Sequence, residues 1–234
     1  MLRASDKPFG VATLRICKPG EEHLFAPLAE LDPSVILVRN LGSLFAARRA
    51  GLRATLVADF SLNAANELSA DTLAQWGVGR VTPSYDLNWP QLQALLSAFS
   101  PSCIEAVIHH RIPMFHMEHC LHDAFLARGA TCERHCRTHR TALRDRVGEV
   151  HPVRTDAGCR STVFFGPSVS EATFVPELLR AGVRDFRVEL LDEDAIRTAR
   201  ILDFYGAIIA GNGSSRAPRD LHAPNSLLRA ETPS

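Results

Sequence analysis

The feature that most constrains this 234-residue chain is an alternation of short β-branched runs with amphipathic helical stretches. This order is typical of βαβ units that build a parallel sheet. The predicted strands lie near Ala12–Ile16, Val35–Val38, Ala54–Asp59, Arg80–Thr82, Ile104–His109, Ser161–Phe165 and Asp185–Leu190. The predicted helices lie near Glu21–Leu31, Ser43–Ala50, Ala65–Trp76, Trp89–Phe99, Val175–Ala181 and Asp192–Ala210.

Seven strands in this order predict an α/β fold with an incomplete (β/α) TIM-like barrel. A full barrel has eight strands and about 250 residues, so the first unit would be missing or replaced, and an open sheet is the alternative. The barrel domain would span residues 1–210. Residues 113–159 interrupt the alternation and are predicted to form a cysteine-rich, loop-rich capping insertion. Residues 211–234 are rich in small and polar side chains and predict a disordered tail.

Four of the six cysteines fall in or beside the insertion and are predicted to form one metal site. They are Cys120, Cys132, Cys136 and Cys159, with the spacing C-x11-C-x3-C-x22-C. Four thiolates hold either a tetrahedral zinc ion or an iron–sulfur cluster. Structural zinc sites usually use two tight pairs, whereas one pair is close here, so the spacing favours iron–sulfur over zinc. Buried thiols or disulfides are the structural alternative.

Composition excludes some partners and leaves others open. The chain has 26 basic and 26 acidic residues, so no overall field attracts nucleic acid or an anionic membrane. A local basic patch beside Cys132 and Cys136 is the candidate RNA contact, although a solvated face is an equal alternative; it comprises Arg134, Arg137, Arg140, Arg144 and Arg146. No apolar run has the length of a membrane span. The opening MLRASDKPFG has no secretory apolar region, which predicts a cytoplasmic protein.

Several segments together resemble the collagenase-like peptidase family U32. They are ATLRICKPGEE, ILVRNLGSL, ADFSLNAANE, VTPSYDLN, HHRIPMFHMEHC, the Cys132/Cys136 pair, DRVGEVHPVRTDAGCR and LLRAGVRDFRVELL. The similarity runs from about Ala12 to Gly211. Each segment alone also fits unrelated parallel-sheet proteins, so the set carries the resemblance.

The resemblance implies that the four cysteines hold a [4Fe-4S] cluster over a β/α barrel. It further implies oxygen-independent hydroxylation of an RNA base or of an aromatic or quinone ring, as in ubiquinone biosynthesis, with prephenate as a co-substrate. A collagenase-like peptidase is one alternative, although the sequence shows no nucleophile or zinc-protease motif. A metal-braced, non-catalytic subunit is another. The chain is expected to start inside the barrel of a longer relative, so a partner subunit would complete the barrel.

Candidate site residues come from the ends of the predicted strands, where β/α barrels carry their chemistry. Arginine forks bind carboxylates, so Arg39, Arg111 or Arg187 would hold a dicarboxylate. The predicted substrate-binding set is Arg39, Asn40, Asn63, Asn66, Ser84, Arg187 and Glu189. The predicted catalytic set is His109, Arg111, His116 and Glu118, which lead into Cys120. The structural alternatives are helix caps for the asparagines and an internal ion pair for Arg187 and Glu189.

Overall fold

The structure, a computed structural model, describes residues 7–127 and 134–216 and shows a mixed α/β protein. The strands are β1 Gly10–Ala12, β2 Val35–Val38, β3 Thr55–Ala58, β4 Arg80–Val81, β5 Glu105–His110, β6 Pro113–Met117, β7 Thr141–Arg144, β8 Val150–Thr155, β9 Ser161–Phe164, β10 Val169–Ser170 and β11 Asp185–Val188. The helices are α1 Ala26–Leu31, α2 Leu41–Arg49, α3 Glu67–Gln75, α4 Trp89–Ala98, α5 Val175–Ala181 and α6 Ala195–Ile209.

The helices begin where the sequence provides side-chain caps. Asn40, Asn66, Asn88 and Asp194 each accept a hydrogen bond from the backbone N–H three residues later. Such caps satisfy N–H groups that have no partner inside the helix. At Asn88 the Gln91 side chain also bonds back to the cap backbone, which forms a capping box. At the C-terminal end of α5, Gly182 has a φ of 103° and forms a left-handed C-cap.

Strands β1 to β4 form a parallel sheet in chain order, and β5 pairs in parallel with β11. A single parallel bridge from Val81 to Ile104 connects these two groups. Buried side chains such as Ile36, Leu44 and Leu95 form the core between this sheet and its helices. Each predicted helix and each of these parallel strands is present, although β1 ends before the predicted Ala12–Ile16 run.

The parallel sheet is strongly curved. Arg187 on β11 contacts Asp59 after β3 at 2.7 Å, although β4 and β5 lie between those strands. Three strand spacings amount to roughly 14 Å in a flat sheet, so the contact requires the sheet to bend around its inner face. Within the described ranges no closed barrel forms, and the TIM-like architecture therefore stays a prediction.

The predicted insertion contains an antiparallel sheet of order β6-β9-β8-β7, which we call the cysteine lobe (residues 113–127 and 134–165). The expectation of a loop-rich segment is therefore wrong for β6, β7 and β8. Strand β9 matches the predicted Ser161–Phe165 run, but it pairs with β6 and β8 instead of joining the parallel sheet. Residues 128–133 lie outside the described residues, as does most of the predicted 211–234 tail.

Candidate functional site

The topology of the cysteine lobe brings three of the four predicted ligands to one end of its sheet. Cys120 follows the end of β6, and Cys159 precedes the start of β9. Met117 pairs with Ser161 at this end, and the Leu121 N–H donates to the Ser161 Oγ at 3.0 Å. Cys136 precedes β7, which begins opposite Val153 near the end of β8. Cys132, the fourth predicted ligand, lies outside the described residues.

Hydrogen bonds hold the segment after Cys120 on this end of the sheet. The His122 Nδ1 lies 3.0 Å from the Thr155 Oγ1, and His122 is buried. Among the residues that the structure describes, no three Cys, His, Asp or Glu side chains form a metal-binding group. Because Cys132 is not among them, the four-cysteine site stays a prediction.

A small pocket lies between the ends of the parallel strands and the cysteine lobe, and we call it the rim pocket. Its volume is about 100 Å³. The lining residues from the parallel strands and their loops are Leu14, Arg15, Arg39, Phe60 and Glu189. Those from the lobe are His116, Asp156, Thr162 and Phe164. The pocket thus combines two guanidinium groups, two carboxyl groups, one imidazole and two aromatic rings.

Arg15 is the arginine of the rim pocket whose charge is not balanced by an ion pair within the described ranges, whereas Arg39 pairs with Asp59. The Arg15 guanidinium lies 4.8 Å from the centre of the Phe60 ring. Burial lowers the pKa of Arg15, and the neighbouring Arg39 acts in the same direction. A bound carboxylate would relieve this repulsion and use the planar donor geometry of arginine.

His116 lines the rim pocket and has one ring nitrogen without a hydrogen-bond partner among the described residues. This nitrogen is the buried Nε2, whereas the Nδ1 lies 2.8 Å from the Thr162 Oγ1. Burial lowers the pKa of His116, and the positive charge of Arg15 contributes. A neutral imidazole held in one orientation is suited to proton transfer with a bound ligand. Of the predicted catalytic set, His116 lines the pocket.

A buried ion network lies on the inner face of the sheet next to the rim pocket. Asp59, which is 1% exposed, contacts Arg39 at 3.1 Å and Arg187 at 2.7 Å. Arg187 also contacts Glu189 and Glu105, each at 3.2 Å. Burial raises the pKa of Glu189, while Arg187 opposes that rise. Arg187 therefore contacts Glu189, which lines the rim pocket, but does not line the pocket itself. The two residues form the internal ion pair that was the structural alternative to substrate binding.

The other predicted site residues lie away from the rim pocket lining. Asn40 and Asn66 cap α2 and α3, and Asn63 adopts a left-handed turn conformation with a φ of 52°. Ser84 lines an interior cavity of about 50 Å³. The ring of His109 lies 3.3 Å from the Tyr205 hydroxyl and is buried.

Arg111 and Glu118 also make contacts away from the pocket. Arg111 pairs with Glu193 at 3.7 Å, and Glu118 pairs with Lys18 at 2.6 Å. Both side chains therefore have protein partners in the positions where the structure places them.

Comparison with known proteins identifies the family. The family model described as Peptidase family U32 matches residues 19–223, which is most of the chain. The chain belongs to peptidase family U32. No curated protein and no solved structure gives a significant match.

A second, more polar pocket of this U32 protein lies beside Cys136. Its volume is about 290 Å³, and its basic lining residues include Arg137, Arg140 and Arg154. Arg154 pairs with Asp192, so part of this charge is compensated. Two members of the predicted basic patch, Arg137 and Arg140, therefore line a surface cavity next to the cysteine lobe.

Six lining residues of the U32 rim pocket were missed by sequence reasoning: Leu14, Arg15, Phe60, Asp156, Thr162 and Phe164. Arg15 was assigned to the interior of a strand, but β1 ends at Ala12, so Arg15 lies beyond the strand at the sheet edge. Asp156 and Thr162 belong to the β8–β9 hairpin, which was not predicted. No helix in the described ranges is both long and apolar enough to span a bilayer.

Proposed function

We propose that this U32 protein is an iron–sulfur-dependent hydroxylase that modifies an RNA base or a quinone-type ring without molecular oxygen. One observation carries the proposal: the segments that bear Cys120 and Cys159 also form the lobe wall of the rim pocket. His116 lies four residues before Cys120, and Asp156 lies three residues before Cys159. A cofactor held by these cysteines would therefore sit close to a pocket with a bound anion.

The donor set suits a [4Fe-4S] cluster. Cys120, Cys132, Cys136 and Cys159 would supply the four thiolates that such a cluster takes, and the three described cysteines lie at the same end of one sheet. When bound, the cluster would supply one-electron transfer at the edge of the rim pocket. Zinc is the competing metal for the same thiolates.

The rim pocket would bind the hydroxyl donor. Arg15 and Arg39 offer two guanidinium groups for a small dicarboxylate such as prephenate, and Phe60 and Phe164 offer apolar contact for its ring. His116 would accept or donate a proton at its Nε2. The acceptor ring would approach from the side of the polar pocket, where Arg137 and Arg140 suit the phosphates of RNA.

A peptidase activity, which the family name suggests, has one geometric argument in its favour. The Thr162 hydroxyl lies 2.8 Å from the His116 imidazole, within the range of a nucleophile and its base. In such pairs a third group orients the base, yet the His116 Nε2 has no such partner among the described residues. This arrangement argues against a peptidase. Gelatin and casein assays with wild-type protein and a Thr162→Val variant test the alternative.

A non-catalytic role within a larger assembly is the third candidate. The parallel strands do not close into a barrel within the described residues, and in this role a partner subunit would supply the remaining units. Co-purification with such a subunit, detected by mass spectrometry, would favour this role. Turnover by the isolated chain would exclude it.

Deletion of the gene tests the hydroxylase proposal directly. We expect mass spectrometry of RNA nucleosides and quinones to show the loss of one hydroxylated species. Wild-type protein and the control variant Cys103→Ala should restore it, whereas Cys136→Ala and Arg15→Met should not. Unchanged nucleosides and quinones in the deletion strain would overturn the proposal.

A further inference from the structure

Arg160 is a buried arginine that joins the two walls of the rim pocket. It follows Cys159 at the start of β9, and 2% of its surface is exposed. Its guanidinium donates to the Glu21 carboxylate at 2.6 Å, to the Glu118 carboxylate at 3.2 Å and to the Ile16 carbonyl at 3.3 Å. One side chain thus contacts the cysteine lobe and the segment after β1.

Two of the three guanidinium contacts of Arg160 lie close in the chain to residues of the rim pocket. Ile16 follows Arg15 directly, and Glu118 lies two residues after His116. The backbone N–H of Arg160 also donates to the Asp156 Oδ1 at 2.9 Å. The position of Arg160 therefore affects both the cationic wall and the lobe wall of the pocket.

Lys18 completes the same cluster. Its ammonium contacts Glu118 at 2.6 Å, and its backbone N–H donates to the Glu21 carboxylate at 2.9 Å. The hydrogen bond from Arg160 lowers the pKa of Glu21, so that carboxylate stays ionised. Two cations and two carboxylates balance one another, which suits this cluster for holding segments together and not for binding a ligand.

We propose that Arg160 is a positioning residue that holds Arg15 at the rim pocket and so makes the pocket able to bind an anion. The proposal rests on the function proposed above and deepens it. Without the Arg160 contacts, the segment from Leu14 to Glu21 keeps the exposed Lys18–Glu118 pair but loses its buried attachment to the lobe. Arg15 then has the Phe60 contact but no fixed distance to His116 across the pocket.

Gly158 provides an independent way to disturb Arg160. A Cβ atom at this position would lie 2.5 Å from the Arg160 Nη1. The backbone of Gly158 is outside the left-handed region, so alanine is compatible with its conformation. Since the clash is with the end of a flexible side chain, Gly158→Ala displaces the guanidinium without removing its charge.

Chemical labelling of Arg15 tests the proposal with malonate as the anionic probe. Phenylglyoxal modification is mapped by mass spectrometry, with the exposed Arg53 as internal reference. In wild-type protein we expect malonate to protect Arg15. In Arg160→Met and Gly158→Ala we expect faster labelling of Arg15 and about tenfold weaker protection by malonate, the size expected for losing a charged hydrogen bond. Arg180→Met, which removes an exposed arginine of α5, should behave as wild type.

Two results would overturn the proposal. One is unchanged labelling and protection of Arg15 in Gly158→Ala, a variant that keeps every side-chain charge. The other is a lack of malonate protection in wild-type protein, because the pocket would then hold no anion. Labelling needs neither turnover nor a loaded cofactor, so its outcome is independent of the deletion experiment. Thermal unfolding of each variant separates a local change at Arg15 from general loss of structure.

Discussion

At the scale of single residues, His110 shows how burial makes stability depend on pH. Its ring lies edge-on to Tyr85 with the centroids 4.3 Å apart, and it is 2% exposed. Burial, together with electrostatic interactions with His109 and Arg187, lowers the pKa of His110 from 6.5 to about 3. At pH values between these two pKa values, His110 binds a proton in the unfolded chain but not in the folded chain. Acidification through this range therefore favours unfolding.

Replacing His110 with glutamine should remove part of this acid sensitivity. We expect the slope of the unfolding free energy against pH, between about pH 4.5 and 6.5, to fall by up to about 1.4 kcal/mol per pH unit. Urea unfolding at several pH values measures the slope, and the exposed His23→Gln variant controls for loss of a histidine as such. Equal slopes in wild type and His110→Gln would show that His110 is protonated in the folded protein.

At the scale of elements, the α3 N-terminus separates a structural role from a substrate-binding role for Asn66. The Asn66 Oδ1 accepts a hydrogen bond from the Ser69 N–H at 2.9 Å, and the Ser69 hydroxyl oxygen accepts one from the Asn66 N–H. Asn66→Ala should cost about 1 kcal/mol of unfolding free energy, while Asn66→Ser should keep most of it because serine is also a good cap. Urea unfolding tests this. An equal loss in both variants would contradict the capping role.

Elements also show what the sequence specifies. Strands β2 to β5 and β11 each follow a helix, and each contains β-branched or other apolar residues, so composition and periodicity predict them well. Strands β6 to β8 mix apolar residues with histidine, arginine and proline, and antiparallel pairing within the cysteine lobe creates them. The run at Ser161–Phe164 is apolar enough for either sheet, and its partners are set by tertiary contacts. His116 was predicted because it precedes Cys120, whereas Asp156 depended on the unpredicted hairpin.

At the scale of the whole molecule, Asp59 holds the curvature of the parallel sheet by joining β3 to Arg187 on β11. Asp59→Asn leaves Arg39 and Arg187 without their shared carboxylate, and we expect a loss of about 3 kcal/mol of unfolding free energy. The matched variant Asp185→Asn affects the more exposed Arg80 pair and should cost less than about 1 kcal/mol. Similar losses in urea unfolding for the two variants would mean that Asp59 has no special role in the curvature.

The central claim is that one end of the cysteine lobe holds an iron–sulfur cluster beside the rim pocket. Iron, zinc and acid-labile sulfide in anaerobically purified full-length protein test it most directly. We expect a brown protein with about four irons and four sulfides per chain. The Cys136→Ala variant should lose this colour, and the Cys103→Ala variant should keep it. A colourless protein with zinc, or with no metal, would contradict it.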